Sequence, residues 1–260
     1  MTRPTLYVFA ISHYCERARW ALDACSIEYD LKHLAPGPHL ETAQRIGAPA
    51  SSLPFLETGT TVVQGSGAIL DWVERARPVA STESLQPAAT YATACAELER
   101  RFDEVVGVHI RRMYYSESLV EHPETVLPVF LDDLDPDARP ALEGAWPFVQ
   151  QVMIESMDLG AEQREESRRI VEGELDAFDA LVSDGRRYLF GERFSRADVT
   201  AASLLAPLAV PPEHPTYGRI QLAPLTRGDM ERWADRPGLD WVRRTYRVHR
   251  AAPTTNHPSV

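Results

Sequence analysis

Apolar residues follow three different spacings near the start of the chain, and each spacing predicts a different element. Leu6–Ile11 is a continuous apolar run rich in β-forming residues, which is typical of a strand buried on both faces. From His13 to Cys25, apolar residues recur at intervals of three and four, which predicts a helix with one buried face. Over Ile27–Leu31 they alternate with charged residues, as in a half-buried strand. The pattern therefore predicts a β-α-β unit.

The rest of the first eighty residues predicts a loop, a hairpin and a second helix. Prolines and glycines interrupt residues 35–54, which predicts a loop with room for one short helix. Phe55–Glu57 and Thr61–Val63 flank a turn and predict the two strands of a hairpin. Ser66 can cap a helix that continues to about Ala76, because apolar residues return at helical spacing.

The remainder of the chain has mostly helical periodicity. Residues 79–87 are the expected linker between an α/β domain at residues 1–78 and an all-helical domain at residues 88–260. The helices predicted in the second domain cover Ala88–Ser116, Leu142–Leu159, Glu162–Val182, Thr200–Leu208, Arg227–Ala234 and Leu239–Arg250. We therefore expect two domains of unequal size.

Residues 117–160 are the exception within the helical domain. Prolines interrupt this segment, and four aspartates lie close together between them: Asp132, Asp133, Asp135 and Asp137. The glycine and the final glutamate of an EF-hand are absent, so a calcium site is not predicted. We expect an acidic, proline-broken insert whose aspartates form a solvated loop.

Charge and composition limit the possible partners. The chain has 27 Lys and Arg against 38 Asp and Glu, for a net charge of −11, and 18 of the acidic residues lie within residues 116–184. Such a surface disfavours nucleic acid and anionic lipid as partners. The composition is that of an ordinary globular protein, and no apolar run is long enough for a membrane span. Three cysteines and an N-terminus without a signal-peptide pattern predict a cytoplasmic protein.

Four short motifs carry most of the functional information. They are Ser12-His-Tyr-Cys15, Leu53-Pro54-Phe-Leu56, Ser66-Gly-Ala-Ile69 and Phe194-Ser-Arg-Ala-Asp-Val-Thr200. In this order and at this spacing they resemble the cytosolic glutathione transferases over nearly the whole chain. The resemblance implies a thioredoxin-like α/β N-terminal domain followed by an all-α C-terminal domain, in a serine-type, bacterial-like member that diverges at Gly65. The fourth motif has the spacing of a capping box, between Ser195 and Asp198, and is expected to be structural.

Ser12 is implied by this resemblance to be the hydroxyl that activates glutathione. A free cysteine-type thiol has a pKa of about 8.5 and is mostly protonated at neutral pH, so a transferase must stabilise the thiolate. The first turn of a helix suits this task, because its unpaired N–H groups and positive dipole end favour an anion. A hydroxyl there can also donate a hydrogen bond to sulfur. The alternative is that Ser12 is only an N-cap.

Cys15 and Tyr14 are competing candidates in the same turn. A thiol in the first turn of a helix can have a lowered pKa and act as a nucleophile. Because Ser12 stands where a Cys-x-x-Cys motif has its first cysteine, only mixed-disulfide chemistry at Cys15 alone is conceivable. Cys15 can instead pack against the sheet as a small apolar residue. Tyr14 could hydrogen-bond the thiolate, line the pocket or pack.

The resemblance also implies which residues hold glutathione. Pro54 is expected in the cis form, with the backbone of Leu53 paired to the cysteinyl part of the peptide. Ser66 is expected to bind the γ-glutamyl carboxylate through its hydroxyl and the N-terminus of its helix. The family usually has Glu or Gln before this serine, whereas this chain has Gly65. Gln64 is the candidate replacement for the missing side chain.

The pocket for the second substrate is expected at the end of the first long helix of the helical domain. That end offers His109, Met113, Tyr114 and Tyr115. Aromatic and methionine side chains suit apolar, adaptable substrates, and core packing is the alternative for the same spacing.

Together these features predict a glutathione transferase-like enzyme, in which the thiolate of glutathione attacks a small, apolar electrophile. Glutathione is then a cosubstrate, and no metal or bound cofactor is expected, because no His, Cys and Asp residues have ligand spacing. Family members are usually two-fold dimers, which implies a homodimer. Two alternatives stay open. One is a non-catalytic ligand-binding or interaction protein with the same fold, motivated by Gly65 and the acidic insert. The other is a Cys15-dependent thiol transferase or dehalogenase.

Overall fold

The first domain is built on a four-stranded sheet in a computed structural model that describes residues 3–59, 61–77 and 84–250. The strands form the spatial order β2-β1-β3-β4, with bounds β1 Thr5–Val8, β2 Asp30–His33, β3 Phe55–Glu57 and β4 Val62–Gln64. β1 and β2 are parallel, and the other two pairs are antiparallel. The predicted hairpin is confirmed as β3 and β4. Thr60 in its turn, and residues 79–83 of the predicted linker, lie outside the described residues.

The first two predicted strands differ in their bounds from the observed β1 and β2, each by three residues at one end. β1 stops at Val8, because the Phe9 carbonyl accepts a hydrogen bond (3.1 Å) from the Ser12 amide in the turn that follows. β2 starts at Asp30, three residues later than predicted, because the Ile27 amide still donates to a carbonyl of the preceding helix (3.0 Å). Apolar patterns locate a strand, but the connections decide where it begins and ends.

Three helices complete the first domain: α1 (His13–Ala24), α2 (His39–Ile46) and α3 (Ser66–Ala76). α1 is the crossover that a parallel strand pair requires. α2 is the short helix anticipated in the loop. α1 packs against α3 and against the helical domain, and its fully buried apolar residues belong to one core that both domains share. The two domains are therefore packed as one body.

The first long helix of the second domain consists of three segments. They are α4 (Ala92–Arg101), a π-helical turn (Phe102–Val106) and α5 (Gly107–Ser118). A Cβ atom at Gly107 would collide with the Tyr14 hydroxyl and lie 3.1 Å from His13 Nε2. Glycine at this position therefore lets the first turn of α1 approach the long helix closely.

Buried ion pairs fix α1 against this long helix. The guanidinium of Arg17 is fully buried and pairs with Glu99 (3.0 Å) and with Asp103 (2.5 Å). Arg196 pairs with the same Glu99 (2.6 Å) and with Asp71 of α3 (2.7 Å). A buried charge without its partner is strongly destabilising, so these pairs constrain how the two domains meet.

Six further helices follow, with bounds α6 Leu127–Asp132, α7 Arg139–Ser156, α8 Ala161–Val182, α9 Arg196–Ala209, α10 Pro224–Trp233 and α11 Pro237–His249. α9 begins four residues earlier than predicted, because the capping box between Ser195 and Asp198 opens it. The Asp198 carboxylate accepts bonds from the amides of Ser195 (2.8 Å) and Leu189 (2.7 Å). This confirms the structural role expected for the fourth motif.

Residues 117–160 form a folded cap, in which α7 accounts for the helix predicted over Leu142–Leu159. α6 and α7 lie in this segment and share an apolar cluster that includes Leu119, Phe130, Leu142 and Trp146. Prolines are accommodated because Pro128 and Pro140 occupy the first turns of α6 and α7, where no N–H donor is needed. Pro147 lies inside α7.

The four close aspartates lie at the end of α6 and in the solvated connection from α6 to α7. Asp132 and Asp133 pair with Arg219 at 3.3 and 2.8 Å. Among the described residues, no group of His, Cys, Asp and Glu is placed to hold a metal ion. None of the helices in the described ranges is long and apolar enough to cross a membrane.

Candidate active site

A cavity of about 620 Å³ lies where the N-terminal end of α1 meets the helical domain. The first domain contributes the turn before α1 and the loops before α2 and before Pro54. The second contributes α5, α7 and the segment after α9. Five of the predicted site residues line this cavity: Ser12, Tyr14, Leu53, Tyr114 and Tyr115.

Ser12 lies at the start of α1, half-buried and in contact with the cavity. Its hydroxyl oxygen accepts a hydrogen bond from the Cys15 amide (3.3 Å), as expected of an N-cap. A serine hydroxyl that accepts one bond still has its own hydrogen to donate. The N-cap role and the activating role are therefore compatible, because Ser12 borders the cavity at the positive end of α1.

Cys15 is buried in the core and does not line the cavity. It is 1% exposed and packs with Ala18 and Leu22, which the apolar interpretation of the sequence predicts. Burial raises the pKa of its thiol to about 11, although hydrogen bonds from Ser12 and from the Phe9 backbone oppose this. A neutral, inaccessible thiol is a poor nucleophile, which argues against chemistry that depends on Cys15.

Tyr14 and His13 connect the first turn of α1 to the helical domain. The Tyr14 hydroxyl donates to the Asp103 carbonyl (2.8 Å), so it is already used and is not free to bind a thiolate. Burial raises the pKa of Tyr14 to about 12. His13 Nε2 lies 3.1 Å from the Gly107 carbonyl, and burial, followed by the charge of Arg111, lowers its pKa to about 3. A neutral His13 therefore serves as a donor that positions α1, a role that the sequence analysis missed.

The Leu53–Pro54 peptide bond is cis, as the resemblance implies. Leu53 lines the cavity beside Ser51 and Ser52. Gln64 fixes this loop: its side-chain oxygen accepts from the Ala50 amide (2.8 Å), and its side-chain nitrogen donates to the Ser52 carbonyl (2.9 Å). Both ends of the Gln64 amide thus bond to the loop of residues 50–52, whereas the sequence predicts that Gln64 replaces the side chain that Gly65 lacks.

Gly65 and Ser66 form the start of α3, beside the cavity but not among its lining. Gly65 has φ +87°, a conformation that residues with a side chain rarely adopt, although a Cβ atom there would meet nothing within 4 Å. The backbone, and not a lack of space, therefore favours glycine. Ser66 is 4% exposed, and Arg17 Nη1 lies 3.5 Å from its hydroxyl oxygen.

Two of the four residues predicted for the electrophile pocket line the cavity. Tyr114 and Tyr115 line the cavity, together with Ile110 of the same helix. His109 does not, because its ring contacts Ser167 of α8 (Nδ1 to Oγ, 3.1 Å). Met113 is in the core. In a helix, residues three or four positions apart share a face, so Ile110, Arg111, Tyr114 and Tyr115 line the cavity while the face with His109, Arg112 and Met113 does not.

α7 supplies cavity residues that the sequence analysis did not identify. Phe148, Val152 and Met153 line the cavity, and Phe148 is 74% exposed at its mouth. The loop before α2 touches this helix, since a Cβ atom at Gly37 would lie 3.2 Å from Val149 Cγ2. Residues 142–157 carry two apolar stripes, one that packs in the cap and one that faces the cavity. The second stripe is the sequence signal that could have identified these cavity residues.

Tyr217 closes the cavity from the segment after α9. It is buried, and its hydroxyl donates to the Ile11 carbonyl (3.3 Å), directly before Ser12. The helical domain therefore contacts Ile11, before the candidate activating serine, as well as His13 and Tyr14 after it.

The two domains, compared separately with known protein families, match the same family. A sequence model of the glutathione S-transferase N-terminal domain matches residues 6–83, and a model of the C-terminal domain of the same family matches residues 125–219. No curated protein sequence gives a significant match.

Solved structures of this family have the same fold. A glutathione S-transferase from Xanthobacter autotrophicus Py2 is 15% identical with a TM-score of 0.62, covering 96% of this chain and 97% of that one. The β-etherase LigF from Sphingobium sp. strain SYK-6 is 17% identical with a TM-score of 0.59, covering 93% and 98%. A glutathione S-transferase from Methylobacterium radiotolerans, solved with glutathione sulfonate, is 20% identical with a TM-score of 0.55 and covers both chains fully. With its two domain matches and this fold, the chain belongs to the glutathione S-transferase family.

Proposed function

We propose that the protein is a glutathione transferase in which Ser12 stabilises the thiolate of glutathione for attack on a small, apolar electrophile. The observation that carries this proposal is the half-buried Ser12 hydroxyl, which lies at the N-terminus of α1 and borders the cavity. The sulfur uses its electron pair to form a bond to the electrophilic carbon, and the leaving group departs with the electrons of the broken bond. The thiol proton is released to solvent.

The binding of glutathione is proposed to use the N-termini of α1 and α3. The backbone of Leu53, held by the loop that Gln64 fixes, would pair with the cysteinyl residue. The γ-glutamyl carboxylate would lie at the start of α3, near Ser66, whose hydroxyl oxygen lies 3.5 Å from Arg17 Nη1. The glutathione sulfonate complex of a structural relative supports this ligand class.

The electrophile is proposed to occupy the apolar part of the cavity between α5 and α7. Tyr114, Tyr115, Phe148 and Val152 provide aromatic and aliphatic surface there. Large apolar side chains favour binding of an apolar ligand through the hydrophobic effect.

The proposal is tested by comparing Ser12→Ala with Cys15→Ala, using retention on immobilised glutathione and turnover of a chloronitrobenzene. A hydrogen bond to a charged group contributes about 1.5–3 kcal/mol, so Ser12→Ala should lower kcat/KM at neutral pH by about 10- to 100-fold. Cys15→Ala should leave kcat/KM within about twofold, because Cys15 lies in the core. Ser183→Ala, at an exposed serine that bonds to the Ala180 carbonyl at the end of α8, is the matched control.

The opposite outcome would overturn this assignment: unchanged turnover in Ser12→Ala together with lost turnover in Cys15→Ala.

The second candidate function is that of a ligand-binding protein of this family without transferase activity. Gly65 and the burial of Ser66 are the observations that motivate it. Binding of an apolar dye without retention on glutathione or turnover would support this candidate.

We also propose a cytoplasmic homodimer, following the usual assembly of the family. Light scattering at micromolar concentration should give twice the chain mass of 29.1 kDa, and a single-chain mass would contradict the dimer.

A further inference from the structure

Charge is distributed very unevenly between the surface and the cavity. The chain carries a net charge of −11, yet none of the described residues that line the cavity is an aspartate or a glutamate. Its ionisable residues are histidines, tyrosines and Arg111. Arg111 is therefore the one permanently charged side chain in the lining, and it is positive.

Arg111 differs from its neighbour Arg112 in whether its charge is paired with an acidic side chain. Arg112 is paired with Asp158 and with Glu166 (2.8 Å), on the side of α5 that faces α8. Arg111 is exposed at the cavity and makes no hydrogen bond or ion pair with any residue in the described part of the chain. Two adjacent arginines thus have different surroundings, and only Arg112 has a structural partner.

The charge of Arg111 acts on the end of the cavity where Ser12 lies. Burial is the largest cause of the lowered pKa of His13, and the charge of Arg111 is the second largest. It also opposes the burial that raises the pKa of Tyr14 and of Tyr115. The same Coulombic attraction acts on an anion in the cavity, and solvent screens it in part because Arg111 is exposed.

We propose that Arg111 binds an anionic group, such as a carboxylate, on the electrophilic substrate. The substrate class is therefore an apolar or aromatic electrophile that carries one negative charge. The guanidinium presents several donors in a plane and can bind both oxygens of a carboxylate. Arg111 lies among Ile110, Tyr114 and Tyr115, in the part of the cavity assigned to the electrophile and away from the start of α3. This inference rests on the proposed transferase function.

The test compares two electrophiles that differ in one charge, 4-chloro-3-nitrobenzoate and 4-chloro-3-nitrobenzamide. In each, the sulfur of glutathione bonds to the ring carbon, and chloride leaves with the electrons of the carbon–chlorine bond. Each kcat/KM is divided by the uncatalysed rate with glutathione, which corrects for intrinsic reactivity. Arg111→Gln should lower the corrected kcat/KM about 10- to 100-fold for the benzoate and less than about twofold for the benzamide.

Controls separate this role from the alternatives. Arg247→Gln removes the same charge at an exposed position of α11 outside the cavity lining and should change neither substrate. Arg111→Lys should retain part of the preference for the benzoate. An equal loss for both substrates, or a raised KM for glutathione in Arg111→Gln, would show that Arg111 acts on the peptide or its thiolate, and would overturn the inference. Unchanged turnover of both substrates would overturn it as well.

Failure of the transferase proposal is distinguishable from failure of this one. If the unmodified protein turns over neither electrophile, calorimetric titration with 3-nitrobenzoate and 3-nitrobenzamide still tests the site. Tighter binding of the benzoate that is lost in Arg111→Gln would support the anion site, and equal affinities would refute it.

Discussion

In the first domain, one serine lies at the start of α1 and another at the start of α3. The two serines differ in how far each is exposed to solvent and to the cavity. Ser12 caps α1, is half-buried and borders the cavity. Ser66 is the first residue of α3, is nearly fully buried and has Arg17 against its hydroxyl. Both ends offer unpaired N–H groups to an anion. Only Ser12, at the start of α1, is part of the cavity lining.

In the proposed function this difference separates chemistry from binding within one domain. A sulfur anion that attacks a second molecule needs a position shared with the cavity, and the start of α1 borders it. A carboxylate that is only held in place can lie at a more enclosed helix start. A serine at a helix start therefore indicates an anion site only together with its surroundings.

The start of α9 is a third case and gives the largest expected effect. The buried Asp198 carboxylate accepts bonds from two amides and from the Ser195 hydroxyl (2.9 Å). Asp198→Ala leaves these buried donors without an acceptor, so the free energy of unfolding should fall by about 3–5 kcal/mol in denaturant titration. Asp198→Asn keeps one acceptor oxygen and should lose less. An equal effect of both variants would contradict a role in bonding.

Ser66→Ala tests the enclosed helix start. Removing one hydrogen bond to a carboxylate should raise KM for glutathione by about 5- to 10-fold while kcat stays nearly constant, because the interaction is the same in the ground and transition states. A fall in kcat of the size expected for Ser12→Ala would contradict the assignment of catalysis to the start of α1 and of binding to the start of α3.

Gly65→Ala tests whether the backbone selects glycine before Ser66. Because Gly65 has φ +87°, alanine should lower the free energy of unfolding by about 1–2 kcal/mol. Gly173→Ala is the matched control, since Gly173 lies inside α8 and a Cβ atom there meets nothing within 4 Å. Alanine there should raise the free energy of unfolding by about 0.5–1 kcal/mol. Changes of the same sign in both variants would contradict this account.

Most of the fold follows from local patterns in the sequence. The hairpin, α1, α3 and the capping box were predicted because each depends on neighbouring residues. The π-helical turn at Phe102–Val106 was not predicted; it lies directly before Gly107, where α1 approaches the long helix closely. Within the cap, the helix over Leu142–Leu159 was predicted, but α6 was missed because Pro128, which lies in its first turn, looked like a helix breaker.

The site was less predictable than the fold. Ser12 and Leu53 came from motifs, and their position beside the cavity agrees with that. Gln64 was assigned on proximity in sequence, but the direction of its side chain depends on the loop at Ala50. Arg111 gave no signal in a chain rich in arginine, because only the folded structure shows which arginine lacks a partner and faces a cavity.

The central claim is that the Ser12 hydroxyl stabilises the thiolate of glutathione, and the most direct measurement is the pKa of bound glutathione. Ultraviolet absorbance of the thiolate, followed against pH in the glutathione complex, gives this value for the unmodified protein and for Ser12→Ala. Stabilising the anion lowers the pKa, so the bound thiol should titrate at least about one pH unit below the free value of about 8.5, and Ser12→Ala should return it towards that value. A bound thiol with the same pKa in both proteins would contradict the account.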